Sequence, residues 1–187
     1  MTRSVYYTAT TLDGYIADEN DSLAWLFEQD IDQAGPGGYE EFIAGIGAMV
    51  MGATTYTWIG DHMRSNGEKW AYDIPCWVFT HREHAPLGDE IRFVSGELRQ
   101  HHAAIVESAG DRDVWVVGGG DLAGQFADLG LLDQVVLAIA PVTLGAGRPL
   151  LPRRHNLKLV QVGRNGDFTV ATYDVVGPRD PASADGS

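Results

Sequence analysis

The chain has 187 residues, 44% of them hydrophobic and 21% charged, the composition of one globular domain with material for a single good core. A formal charge of -13 argues against nucleic acid or an anionic membrane as partner, because both demand basic surface, so any phosphate site has to be built locally from backbone N–H groups and a few cations. The single Cys76 cannot close an internal disulfide, no spaced Cys/His set for zinc is present, and neither a signal-peptide core nor an apolar run of membrane-spanning length is visible; the expectation is a reduced, cytoplasmic protein without a metal.

Strand-like and helix-like stretches alternate, the pattern of an α/β domain with a largely parallel sheet. Residues 5–10 read as the first strand, broken by a turn at Gly14, with a polar surface loop over 17–22 leading to an apolar cluster, 23–27, placed on a loop. The run Gly35-Pro36-Gly37-Gly38 precedes a short helix over Tyr39–Ala44, 48–51 forms the next strand, and a helix begins at Thr54. Residues 76–80 and 91–94 are strands, after which Leu98, His101, Ile105, Val106 and Ala109 trace the apolar side of a helix. Next come a buried strand at 114–117, a helix from Gly120 to about Leu129, a strand at 135–140 and a turn-rich segment over 141–152. Two last strands, 158–162 and 168–176, have no helical period between them and are expected to pair as an antiparallel hairpin through Asn165 and Gly166. The domain is expected to span 1–177, followed by a disordered tail at 178–187.

Three strand ends carry phosphate-compatible groups. In Val117-Gly118-Gly119-Gly120-Asp121-Leu122 the glycines occupy a strand-to-helix turn, where missing Cβ atoms let a ligand approach the backbone and free N–H groups at the helix start favour an anion; a plain tight turn is the competing reading. In Gly52-Ala53-Thr54-Thr55 a strand again hands over to a helix whose threonines could bind an anion or simply cap it. Thr80-His81-Arg82 offers a hydroxyl, an imidazole and a guanidinium able to grip a phosphate monoester. His81 and His84 also form an HxxH pair, but no third ligand is near in sequence. A Rossmann domain is disfavoured: its glycine motif normally lies on an early strand, and the position about 20 residues on, where an acid would meet the ribose, falls here in an apolar run.

Taken in order, Thr8-Ala9-Thr10-Thr11-Leu12-Asp13-Gly14-Tyr15-Ile16-Ala17, Met51-Gly52-Ala53-Thr54-Thr55-Tyr56, Val117-Gly118-Gly119-Gly120, Leu132-Asp133-Gln134-Val135 and the stretch from Ala140 to Leu150 resemble the dihydrofolate reductase superfamily. The last two are especially like its branch containing the reductase domain of the bacterial riboflavin-biosynthesis deaminase/reductase. The resemblance implies a single-domain, three-layer α/β sandwich with a mostly parallel sheet, a C-terminal antiparallel hairpin, and NADPH as cofactor. It implies Ala9 and Ile16 against the nicotinamide, Asp13 and Gly14 shaping the loop after the first strand, and Gly52, Ala53, Thr54 and Thr55 facing Val117, Gly118, Gly119, Gly120, Asp121 and Leu122 across the pyrophosphate. Thr80, His81 and Arg82 would meet the 2'-phosphate, with Ser95 near the adenine. Asp13, Trp25 and Glu41 are the candidates on the catalytic side, Trp25 as a pocket wall or a core anchor.

Departures from the resemblance bear on the substrate. The acid that folate-reducing members carry early on the helix before the Met-Gly strand aligns close to Gly38, with Glu40 and Glu41 displaced from it; a helix turns about 100° per residue, so the two cannot both face a pocket. Ala138 stands where folate reductases often have threonine, and nothing resembles the HxE and PCxxC zinc ligands of the deaminase half. Arg148 could contact an anionic substrate or only shape a turn. The leading expectation is an NADPH-dependent reductase of a small heterocycle or carbonyl; the alternatives are a non-catalytic or regulatory NADP(H)-binding protein and, with little support from spacing, a His-based metal hydrolase. A homodimer is expected, formed near the apolar region 135–151 taken as the later sheet edge.

Overall fold

A computed structural model describes residues 2–180. The elements are β1 (Ser4–Thr11), β2 (Tyr15–Ala17), α1 (Ala24–Phe27), α2 (Tyr39–Ala44), β3 (Ile46–Gly52), α3 (Ala53–Asn66), β4 (Cys76–Phe79), β5 (Ile91–Val94), α4 (Leu98–Ala109), β6 (Asp113–Gly118), α5 (Gly120–Asp128), β7 (Gln134–Ala140), β8 (Arg148–Pro149), β9 (His155–Asn165) and β10 (Phe168–Pro178). Eight strands form one sheet in the order β5-β4-β3-β6-β1-β7-β10-β9. The pairs among β5, β4, β3, β6, β1 and β7 are parallel, and β10 runs antiparallel to both β7 and β9.

The central strands are apolar because both faces of the sheet are covered. On β3, Ala48 and Val50 face one core while Met49 and Met51 face another, and on β6 Val114 and Val116 part from Trp115 in the same way. One core gathers α4 and α5 through Leu98, Ile105, Leu122, Ala123 and Phe126. The opposite face is covered by α2 and α3, with Tyr39, Phe42, Ile43 and Tyr56 against Met49, Met51 and Trp115, and next to them Trp25 of α1 packs on Ala138, Ala140, Phe168 and Val170. These are the three layers of the expected sandwich.

The C-terminal hairpin turns through Gly166 and Asp167 between the paired Asn165 and Phe168, with Gly166 at φ 57°. Both strands are longer than their sequence signal, and β10 runs one residue into the stretch expected as tail; 181–187 lie outside the described residues. Two further differences concern short elements. Residues 24–27 of the expected loop form the single helical turn α1, and β2 pairs with β8 in a separate two-stranded sheet, a ladder too short to leave a periodic signature.

The expected sheet edge is corrected. β7 lies in the interior between β1 and β10, and the edge on that side is β9. Leu157, Leu159 and Val162 sit opposite Val175, Tyr173 and Ala171, on the face where Tyr173 and Val175 join the α4–α5 core, yet all three are exposed.

Candidate functional site

A cleft of about 1150 Å³ opens along the C-terminal ends of the parallel strands, the place where open α/β sheets bind ligands. Its wall includes Ala9 and Ile16; Gly52, Ala53, Thr54 and Thr55; Thr80, His81 and Ser95; and the run from Val117 to Leu122. Every cofactor-side residue expected from the sequence is therefore on one wall, except Arg82. Arg82 is exposed, does not line the cleft, and its backbone N–H donates to the Thr80 hydroxyl at 3.0 Å in the turn after β4.

The three glycines differ in why they are glycine. Gly118 has φ 137°, a conformation that side-chain-bearing residues avoid, and its peptide bond to Gly119 is cis. A Cβ on Gly120 would run into the carbonyl oxygens of Pro149 and Leu150. Gly119 has neither reason: as N-cap of α5 its φ is -74° and ψ -174°, and a Cβ there would meet only Ile16 Cδ1, at 3.9 Å. Gly52, N-cap of α3 at φ -83° and ψ 163°, is likewise open, with its nearest neighbour the Gly118 carbonyl at 3.8 Å. Neither helix receives a side-chain cap, so their first N–H groups are left facing the cleft.

Two carboxylates reach this wall, and both are held by a guanidinium. Asp21 accepts from Arg148 Nε at 2.6 Å and Nη2 at 3.0 Å, and this contact holds its carboxyl below the ordinary value. Asp121 is lowered by Gln125 and then by Arg153, whose Nη2 donates to it at 2.6 Å. Arg153 also reaches Asp128, so the carboxylate at the start of α5 is tied to the helix end.

Beyond Ala9 and Ile16 the cleft is bounded by Tyr7, Tyr39 and Trp115 from the sheet and α2, by Leu23, Leu26 and Phe27 around α1, by Gln29, Ile31 and Gln33, and by Trp58 and Ile59 of α3. The 30–37 segment is fastened by the C-terminal hairpin. Asn165, buried, accepts from Asp32 N at 2.9 Å and donates to the carbonyls of Asp32 (2.8 Å) and Pro36 (3.1 Å), while Asp167 accepts from Asp30 N at 2.9 Å.

The three candidates on the catalytic side are not brought to this wall. Asp13 is exposed and turned to the 144–145 backbone: it accepts from the Thr11 hydroxyl (2.6 Å) and from the N–H groups of Gly145 (2.7 Å) and Leu144 (3.0 Å), with Thr11 the main cause of its lowered pKa. It straps the loop after β1 to the 144–145 segment. Trp25 lies beneath α1 in the core, 6% exposed, its indole N–H without an acceptor. Glu41 and Glu40 are exposed because α2 spends its inward positions on Tyr39, Phe42 and Ile43, at the i, i+3, i+4 spacing of an apolar stripe. His84 is not paired with His81; it stacks on Phe93 and lies 3.1 Å from the Thr80 hydroxyl.

The geometry agrees with what the chain is similar to. The model of the RibD C-terminal domain matches residues 5–167. The chain is 30% identical over 155 residues to the uncharacterised protein YwjB of Bacillus subtilis (strain 168), covering 82% of this chain and 85% of that one, and 28% identical over 169 residues to YyaP of the same organism, covering 84% and 86%. Among solved structures, a protein assigned to riboflavin biosynthesis from Shewanella sp. PV-4 superposes with TM-score 0.77 at 26% identity, over 93% of this chain and 99% of that one. The Thermotoga maritima diaminohydroxyphosphoribosylaminopyrimidine deaminase/5-amino-6-(5-phosphoribosylamino)uracil reductase shares the fold, with TM-score 0.60 at 17% identity over 93% of this chain and 56% of that one. The chain thus has the dihydrofolate reductase-like fold and belongs to the RibD C-terminal domain family.

Proposed function

We propose that this protein is an NADPH-dependent reductase of a small heterocyclic or carbonyl substrate. The observation that carries the cofactor is the pair Gly52 and Gly119, two neighbouring helix N-caps on the cleft wall that need no glycine for their backbone or their packing and that have no side-chain cap. A pyrophosphate between α3 and α5 supplies the reason, since backbone must approach it and the helix ends favour its charge. Thr54 and Thr55 add hydroxyls, and the Arg153 contact neutralises Asp121 beside the anion. The nicotinamide end falls at Ala9 and Ile16, and the adenosine end at Thr80, His81 and Ser95. When bound, NADPH supplies a hydride; the chain orients the acceptor beside Ala9 and keeps water away with the apolar residues around α1.

A fluorescence titration tests this reading. NADPH binds more tightly than NADH; equal affinities, or no binding of either, would refute it. A second reading, a non-catalytic NADP(H)-binding protein, is favoured by one feature, the absence of an unpaired acid on the wall beyond Ala9 among the described residues. It predicts saturable binding with no oxidation of NADPH by any acceptor.

The partner reading is a homodimer formed through β9. Leu157, Leu159 and Val162 extend an apolar core past its helical cover onto an edge strand with unpaired backbone groups, and a second copy of the same edge buries both.

A further inference from the structure

The part of the cleft beyond Ala9 and Ile16 is assembled from rings and neutral groups. Tyr7 stacks on Phe42 with centroids 4.0 Å apart and meets Trp115 edge-on, so the sheet side of the cleft is a packed aromatic wall. Phe27 of α1 and Trp58 of α3 both line the cleft, and both stack on His62, at 5.6 and 4.9 Å, which ties the two elements together over it. The charges on the wall are already engaged. Arg148 is the arginine that lines the cleft, and it is spent on Asp21 through two hydrogen bonds. His81 lies after β4, four strands from β7 along the sheet. The phenols are committed as well, Tyr7 donating to the Gly37 carbonyl at 3.1 Å and Tyr39 lying 2.8 Å from the Tyr72 hydroxyl. Gln29 Nε2 donates to the Trp25 carbonyl at 3.3 Å and the Thr8 hydroxyl to the Ala9 carbonyl at 3.1 Å, which leaves the Gln33 amide and Gln29 Oε1 as the polar groups to meet a ligand.

Resting on the reductase reading, we infer that the hydride acceptor is an uncharged planar ring compound carrying neither phosphate nor carboxylate, its polar edge read by the Gln33 amide and Gln29 Oε1. An ionised group entering this wall gives up its hydration and meets no available cation among the described residues, on a chain whose formal charge of -13 already repels it. A neutral ring instead packs against the aromatic side chains of this wall and offers an amide-type donor and acceptor to the glutamines. The step balances with one co-reactant from solvent: a hydride forms the new C–H bond, the π pair of the reduced C=N or C=O bond takes a proton from water, and NADPH leaves as NADP+.

Riboflavin and FMN share one ring system and differ by a phosphate, so the pair isolates the charge. The protein is first titrated with NADP+; failure at this stage counts against the cofactor reading and not against the substrate inference. With NADP+ saturating, so that the helix N-termini are occupied, fluorescence anisotropy is followed for lumazine, lumichrome, riboflavin and FMN. At least one of the neutral probes binds, and FMN binds at least about tenfold more weakly than riboflavin. Gln33→Arg, at an exposed position of the wall, narrows that gap by strengthening FMN while leaving the NADP+ titration unchanged. FMN binding as tightly as riboflavin, or no neutral ring binding to the NADP+-saturated protein, would overturn the inference.

Discussion

Replacing Gly119 with Ala separates a ligand site from a turn more cleanly than any other single change. The backbone at φ -74° and ψ -174° accepts alanine, and the new methyl touches only Ile16 Cδ1 at ordinary contact distance. Fewer conformations in the unfolded chain then raise the unfolding free energy by about 0.4–1 kcal/mol, a melting shift of about 1–4 °C for a domain of this size. The same methyl stands where a pyrophosphate has to reach the first N–H groups of α5. Losing one charge-assisted hydrogen bond costs about 1.5–3 kcal/mol, so the dissociation constant for NADPH rises about 10- to 150-fold. Gly120→Ala is the contrasting control: its methyl collides with the Pro149 and Leu150 carbonyls and lowers stability by about 1–3 kcal/mol through overpacking. Thermal melts and NADPH fluorescence titrations on the same two variants read both quantities. A Gly119→Ala protein that melts normally and binds NADPH like the parent would refute the reasoning, because the open space beside Ile16 would then belong to no ligand.

Asn165→Ala removes three buried hydrogen bonds to the 30–37 segment and costs roughly 2–4 kcal/mol in chemical denaturation. Asp13 has a lowered pKa in the folded state, so its contribution is fully present above the unfolded value near 3.8 and fades as pH falls through the lower folded value; hydrogen exchange at Leu144 and Gly145 should accelerate only in that acid window, and in Asp13→Asn at neutral pH. Leu159→Lys combined with Val162→Lys abolishes association through β9, so light scattering falls from twice the 20.3 kDa chain mass to that mass itself. Cys76 is fully buried and burial pushes its thiol up to about 12, so the native protein does not react with a thiol reagent at pH 8 while the unfolded chain does.

Much of the fold was legible because its signals are local. The apolar runs of β3 and β6, the 3.6-residue spacing on α4 and α5, and the Asn165-Gly166 turn each declare an element within a dozen residues, and β9 and β10 were missed only at their ends. That these residues share one cleft was legible for the same reason: a strand-to-helix junction places its own glycines and threonines at the sheet's C-terminal edge wherever the strand pairs. What could not be read were the contacts that join distant segments. Arg148 and Asp21 stand 127 positions apart, and Asn165 and Asp32 stand 133 apart; nothing local marks either pair. The misplaced candidates share that origin. Glu41 sits on the right helix, but the stripe of Tyr39, Phe42 and Ile43 that turns it outward is completed only where Phe42 meets Tyr7 of β1 and Trp115 of β6. Trp25 was read as a wall or an anchor, and only β10, whose Phe168 and Val170 pack beside it, decides for the anchor. The lining beyond Ala9 is thus written by long-range packing, so its paired charges and neutral rings can vary without disturbing the glycine and threonine motifs at the strand ends.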